Sequence, residues 1–144
     1  MSETHARRIV VGIDGSAQST YALRWAAQLA EKYDATLEAV AAWHIPVSYG
    51  MAPVPIWDPE ADMAKCLTQT VDEVFGAQRP AGLELRVLQG NPAGVLVDTS
   101  KGAFMTVVGS RGHGGFAGLL LGSVSSAVAE HATCPVLVVH GGQS

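Results

Sequence analysis

Five short apolar runs, separated by stretches of helical period, restrict the fold of this chain more than any other feature. The first run, Arg8 to Ile13, ends in Asp14-Gly15-Ser16, which reads as a buried strand entering a turn and a helix, with Ser16 as N-cap. Leu23, Ala26, Ala27, Leu29, Ala30 and Tyr33 then recur at the spacing of a helix that covers a sheet. Thr36 to Trp43 is a second strand, followed by His44 and a proline-rich loop over residues 45–57 that carries Tyr49 and Trp57. Asp58-Pro59 reads as an N-cap with proline at N1, and Ala64, Leu67, Val71, Val74 and Phe75 trace the buried face of the helix it opens. Leu83, Leu85 and Val87 alternate with Glu84 and Arg86, so the third strand has one wet face and belongs near a sheet edge. Gly90-Asn91-Pro92 starts a short helix through Val97, and Met105 to Val108 is a fourth strand. Ser123 is expected to cap a helix whose apolar face is Val124, Ala127, Val128 and Ala132, and Val136 to His140 is the fifth strand.

Strands alternating with helices imply right-handed crossovers and a mainly parallel sheet covered on both faces. The expected architecture is α/β, one doubly wound sheet in a single domain over residues 1–144. A chain of 144 residues with 48% hydrophobic content suits one core. The formal net charge is −4 and the lysines and arginines are scattered, so no basic stripe exists to follow a phosphate backbone, and nucleic acid is not an expected partner. Residues 1–8 carry charges without an apolar export segment behind them. The apolar stretch from Gly102 to Ala129 is interrupted by Arg111, His113 and glycines. A cytoplasmic protein without a membrane partner is therefore expected. Cys66 and Cys134 show no metal or disulfide spacing and read as reduced, mostly buried thiols.

The chemistry is concentrated between the fourth strand and the last helix. Gly109-Ser110-Arg111-Gly112, nine residues, then Gly122-Ser123 sets two glycine turns between a strand end and a helix start. Glycines let the backbone approach phosphate oxygens, and the amides and dipole of a helix N-terminus favour negative charge. The pattern is neither a Walker loop nor GxGxxG, so it is a different phosphate cradle. His44, His113 and His131 lack carboxylate partners or a helical i, i+4 pair, so neither a metal site nor a base is expected. Ser110 lacks the GxSxG elbow, and no catalytic residue is assigned.

With these motifs the chain resembles the universal stress proteins, whose ATP-binding signature is similar to Gly109-x-x-Gly112, nine residues, Gly122-Ser123. VVGIDGS at 10–16, the GNP turn at 90–92 and GSVSSAVAEHATCPVLVVH at 122–140 extend the resemblance along the chain. The resemblance implies a five-stranded parallel sheet in which the first and fourth strands are neighbours at the topological switch point, where ligands bind. It implies that Gly12 and Asp14 face Gly109 across a crevice, with Asp14 near the ribose or a phosphate-bound magnesium. Adenine would lie against Ala42, with Val108 as an apolar wall. Gly109, Ser110, Arg111 and Gly112 would form the first phosphate turn, and Gly122, Ser123 and Ser125 the second. One departure is Ala103-Phe104-Met105-Thr106, where the family usually has Ala-Asp-Leu-Ile; this is expected to alter packing more than phosphate binding.

The implied ligand is ATP with magnesium bound through its phosphates, held by a regulatory binding module of the stress response. The alternatives are a slow ATPase or phosphotransferase, since phosphoryl transfer needs mainly positioning and charge stabilisation, and a nucleotide-independent interaction protein. The last strand is apolar on both faces, and such an edge needs a partner. Family members commonly pair it across a two-fold axis, so a homodimer through the C-terminal strand is expected.

Overall fold

A computed structural model describes residues 7–45, 58–111 and 122–141. Their elements run β1 (Arg7–Gly12), α1 (Ala17–Tyr33), β2 (Ala35–Trp43), α2 (Pro59–Phe75), β3 (Glu84–Gln89), α3 (Pro92–Thr99), β4 (Met105–Gly109), α4 (Ser123–His131) and β5 (Val136–Val139). The strands form one sheet in the order β3-β2-β1-β4-β5, and every neighbouring pair is parallel. The expected α/β architecture is present, with β1 and β4 adjacent and β3 at an edge.

The two faces follow from the period of two along each strand. Ile9 and Val11 of β1, Leu37 and Ala39 of β2 and Val107 of β4 pack with Ala22, Leu23 and Ala26 of α1 and with Leu67 and Val71 of α2. Val10, Val40 and Val108 point the other way, onto Leu96 of α3 and Val128 of α4. Central strands buried on both faces need apolar residues at consecutive positions, which is why β1 reads Ile-Val-Val without alternation. The edge strand β3 keeps alternation, with Glu84 and Arg86 exposed and Leu85 and Val87 half-buried.

Local chemistry explains the helix starts. Ser16 accepts from the Ser19 amide, Asp58 from the Ala61 amide, and Asn91 from the Ala93 and Gly94 amides, with Pro59 and Pro92 opening their helices. The fourth helix departs from expectation. Gly122, not Ser123, is its N-cap, and no side-chain cap bond satisfies its first turn among the described residues. A serine one residue inside the helix has its hydroxyl beside the wrong amides to act as a cap.

One polar cluster escaped sequence reasoning. Glu38, 3% exposed on β2, takes Arg8 Nη1 on one carboxylate oxygen at 2.9 Å and Arg86 Nη1 on the other at 2.7 Å. Arg8 also donates to the carbonyls of Thr99 and Lys101, at 2.9 and 2.8 Å, and so ties the end of α3 to the sheet. A buried charge survives only when paired and hydrogen-bonded, and both carboxylate oxygens are. At the position of that departure, the Phe104 ring lies 5.2 Å from that of Tyr33, and the Arg7 guanidinium sits 5.1 Å from its centroid. Cys66 and Cys134 are free, and both are half-buried rather than mostly buried.

Candidate functional site

The chain reverses its direction of winding between β1 and β4, which leaves a crevice beyond the carboxyl ends of the strands. A cavity of about 520 Å³ occupies it, within the size range of small-molecule sites. Its floor is made by Gly12, Ile13 and Asp14 at the end of β1, Ala42 at the end of β2, and Val108 and Gly109 at the end of β4. Arg111 and the first turn of α4, with Gly122, Ser123 and Ser125, form one wall. The structure thus brings the sequence-predicted residues together, with two exceptions. Gly112 lies outside the described residues, as do Tyr49 and Trp57 of the proline-rich segment. Ser110 does not line the cavity: it is 3% exposed, and its hydroxyl donates to Gln18 Oε1 at 2.9 Å.

Each wall has a local cause. Gly15, at φ 86°, lets the chain turn sharply after β1, and the Asp14 Oδ1 accepts from the Ser16 amide at 2.9 Å. Asp14 therefore shapes its own turn, as an Asx residue does, and its second carboxylate oxygen takes no hydrogen bond among the described residues. On the opposite wall, the Ser110 carbonyl receives both the Gly122 amide at 2.6 Å and the Ser125 hydroxyl at 2.8 Å. These bonds clamp the start of α4 to the end of β4. The amides that follow, from Ser123 onward, begin a helix whose first turn has no side-chain cap among the described residues and faces the cavity. Such a terminus carries partial positive charge, so this wall is suited to an anion.

The glycines at the strand ends have a packing role that spacing did not reveal. A β-carbon on Gly109 would stand 2.9 Å from Gln18 Cβ and 3.1 Å from the Gln18 carbonyl oxygen, so glycine here lets α1 press against β4. A β-carbon on Gly12 would stand 2.8 Å from Leu96 Cδ1. Their absent side chains admit α1 and α3 close to the sheet as well as opening the crevice.

Sequence reasoning also missed the far wall. Pro59, Asp62 and Met63 of α2 line the cavity with Trp43 and His44. Asp62 and Met63 follow Pro59 by three and four residues, which sets all three on one face of the helix. Cys66 continues this helix face, and its thiol is pushed above its ordinary pKa by burial and, to a lesser degree, by the charge of Asp14. The cavity lining thus carries both signs, acidic at Asp14 and Asp62 and positive at Arg111 and the α4 terminus. No group of three or more metal-binding side chains occurs among the described residues. No helix there is long and apolar enough to cross a membrane.

Comparisons with known proteins give the family and the fold. The model of the universal stress protein family matches residues 5–140. A universal stress protein of Mycolicibacterium smegmatis is 36% identical over 148 residues, covering 92% of this chain and 48% of that protein, so the chain spans about half the relative's length. A solved universal stress protein in complex with cAMP is 30% identical, with a TM-score of 0.72, over 95% of this chain and 99% of that one. An Arabidopsis thaliana universal stress protein family member solved with AMP bound shares the fold, at 21% identity and a TM-score of 0.62 over 93% of this chain and 91% of that one.

Proposed function

The chain belongs to the universal stress protein family, and from that premise we propose that it is a binding module for ATP, held in the crevice between β1 and β4. The observation that carries this reading is the cavity itself, which joins an apolar floor at Ala42 and Val108 to an anion-favouring wall at the α4 terminus. An adenine nucleotide has the matching polarity, flat and weakly polar at one end and anionic at the other. The cAMP bound by the 30% identical relative belongs to the same ligand class.

In this reading the triphosphate lies between Gly109–Arg111 and Gly122–Ser125, with adenine against Ala42 and Val108. Magnesium arrives with the phosphates. That ion keeps much of its shell as water and phosphate oxygen and asks a protein for one or two carboxylates. Asp14 fits such a role, because only one of its oxygens is committed to the turn. The bound ion supplies charge neutralisation between the phosphates and the acidic β1 end.

The module is a regulator in the stress response, acting in the cytoplasm, with residues 1–144 as one domain. Its β5 edge, beyond which no further strand lies among the described residues, pairs with a second copy to make a homodimer; light scattering that returned the monomer mass at micromolar concentration would contradict this. Titration calorimetry with magnesium ATP, ADP, AMP and cAMP tests the ligand. Micromolar binding of ATP is expected, since three or four charge-assisted contacts of roughly 1.5–3 kcal/mol each exceed the cost of ordering the ligand. If none of the four nucleotides gave heat or raised the melting temperature at millimolar concentration, the reading would fail.

A further inference from the structure

We propose that Gln18 is a positioning residue for the first phosphate turn, an inference that rests on the nucleotide reading above. Gln18 lies in the first turn of α1, where a polar side chain ordinarily meets solvent. Here its carboxamide oxygen receives two donors of the loop after β4, the Ser110 hydroxyl at 2.9 Å and the Arg111 amide at 2.8 Å. A carbonyl oxygen with two lone pairs meets both donors, which fixes the orientation of the amide group as well as its position.

Three further facts make this more than a surface contact. Gln18 does not line the cavity, whereas Arg111 does, so the side chain holds the turn from behind and leaves its front open to a ligand. The Gln18 backbone stands within 3.1 Å of where a Gly109 β-carbon would be, so the helix cannot withdraw without opening a gap at the strand end. The Ser110 carbonyl in turn holds Gly122 and Ser125, so the bond from Gln18 is the first link of a chain reaching the α4 terminus. Breaking that link loosens both phosphate turns while the apolar floor under the base is untouched. Preorganised donors bind an anion at lower ordering cost than mobile ones, so the effect falls on the phosphate end of the ligand.

The test compares ATP with adenosine in the whole 144-residue chain. Gln18→Met keeps the length of the side chain and removes the acceptor. It should weaken magnesium ATP by about tenfold and leave adenosine within about twofold. Arg111 amide exchange in the ligand-free protein should quicken in Gln18→Met and stay protected in Gln18→Glu, which keeps an acceptor oxygen on a side chain of the same length. Equal changes for ATP and adenosine, or none for either, would overturn the positioning role while the nucleotide reading stands. So would unchanged Arg111 exchange in Gln18→Met. A wild-type protein that bound neither ligand would overturn the nucleotide reading and this inference with it, an outcome visible in the first titration.

Discussion

Gly109 and Gln18 approach so closely that a β-carbon on the glycine would sit 2.9 Å from Gln18 Cβ and 3.1 Å from its backbone oxygen. Main-chain atoms of a helix cannot step aside as a side-chain tip can. Gly109→Ala is therefore expected to cost about 1–3 kcal/mol in urea unfolding. Gly12→Ala, which meets only the flexible end of Leu96 at 2.8 Å, should cost less, under about 1.5 kcal/mol. Equal losses at the two positions would refute the distinction.

Glu38 supplies the second prediction. Its carboxylate is nearly inaccessible, and two arginines depend on it. Glu38→Ala leaves Arg8 half-buried without its counter-charge and should destabilise the fold by about 2–3 kcal/mol, below the value for a fully buried pair because both guanidinium groups reach water. Arg8→Ala should cost more than Arg86→Ala, because only Arg8 also holds the Thr99 and Lys101 carbonyls. Chemical denaturation of the three variants gives the order.

Asp14 has a structural and a proposed ligand role that one substitution separates. Asp14→Asn retains an oxygen for the Ser16 amide and should leave stability within about 0.5 kcal/mol. The lost charge should lower affinity for magnesium ATP by about tenfold or more. Asp14→Ala should lose affinity and stability together. Calorimetric titration beside thermal unfolding distinguishes the cases, and an Asn variant with wild-type affinity would remove Asp14 from the site.

The Cys66 thiol is held protonated by burial and by Asp14, so thiolate-dependent alkylation should be slow at neutral pH. Its pH–rate midpoint should lie above that of a free cysteine and move down in Asp14→Asn. The sign for stability follows: the unfolded chain ionises this thiol first, so its contribution is intact below the ordinary cysteine pKa and declines as pH rises past it. Alkylation rates in Cys134→Ser, which leaves Cys66 as the sole thiol, provide the measurement.

What could be read from the chain before folding depended on how local each cause is. The edge position of β3 was legible because alternation of Leu85 and Val87 with Glu84 and Arg86 records one wet face. The Asp58-Pro59 start was legible because a cap and a proline act within one turn. Glu38 was not, since an acidic residue inside an apolar run makes sense only once Arg8 and Arg86, 30 and 48 residues away, are beside it. The strand-end and α4 residues of the crevice followed a motif, whereas Gln18 and the α2 wall carried no more than the look of an ordinary helix surface. Ser123 illustrates the opposite error: the residue type suits a cap, yet the backbone turns one residue earlier, at Gly122.

The order β3-β2-β1-β4-β5 also has a consequence for how the molecule is made. β1 precedes the other described strands in the chain, yet it occupies the centre of the sheet. It meets β2 soon afterwards, but its other edge waits for Met105 to Val107, and Arg8 waits for carbonyls 91 and 93 residues downstream. Until that length has been synthesised, an apolar strand has one row of amides and carbonyls unpaired and open to any passing chain. Closure of such distant pairs is slow, so the growing polypeptide passes through a long interval in which a central strand is half covered.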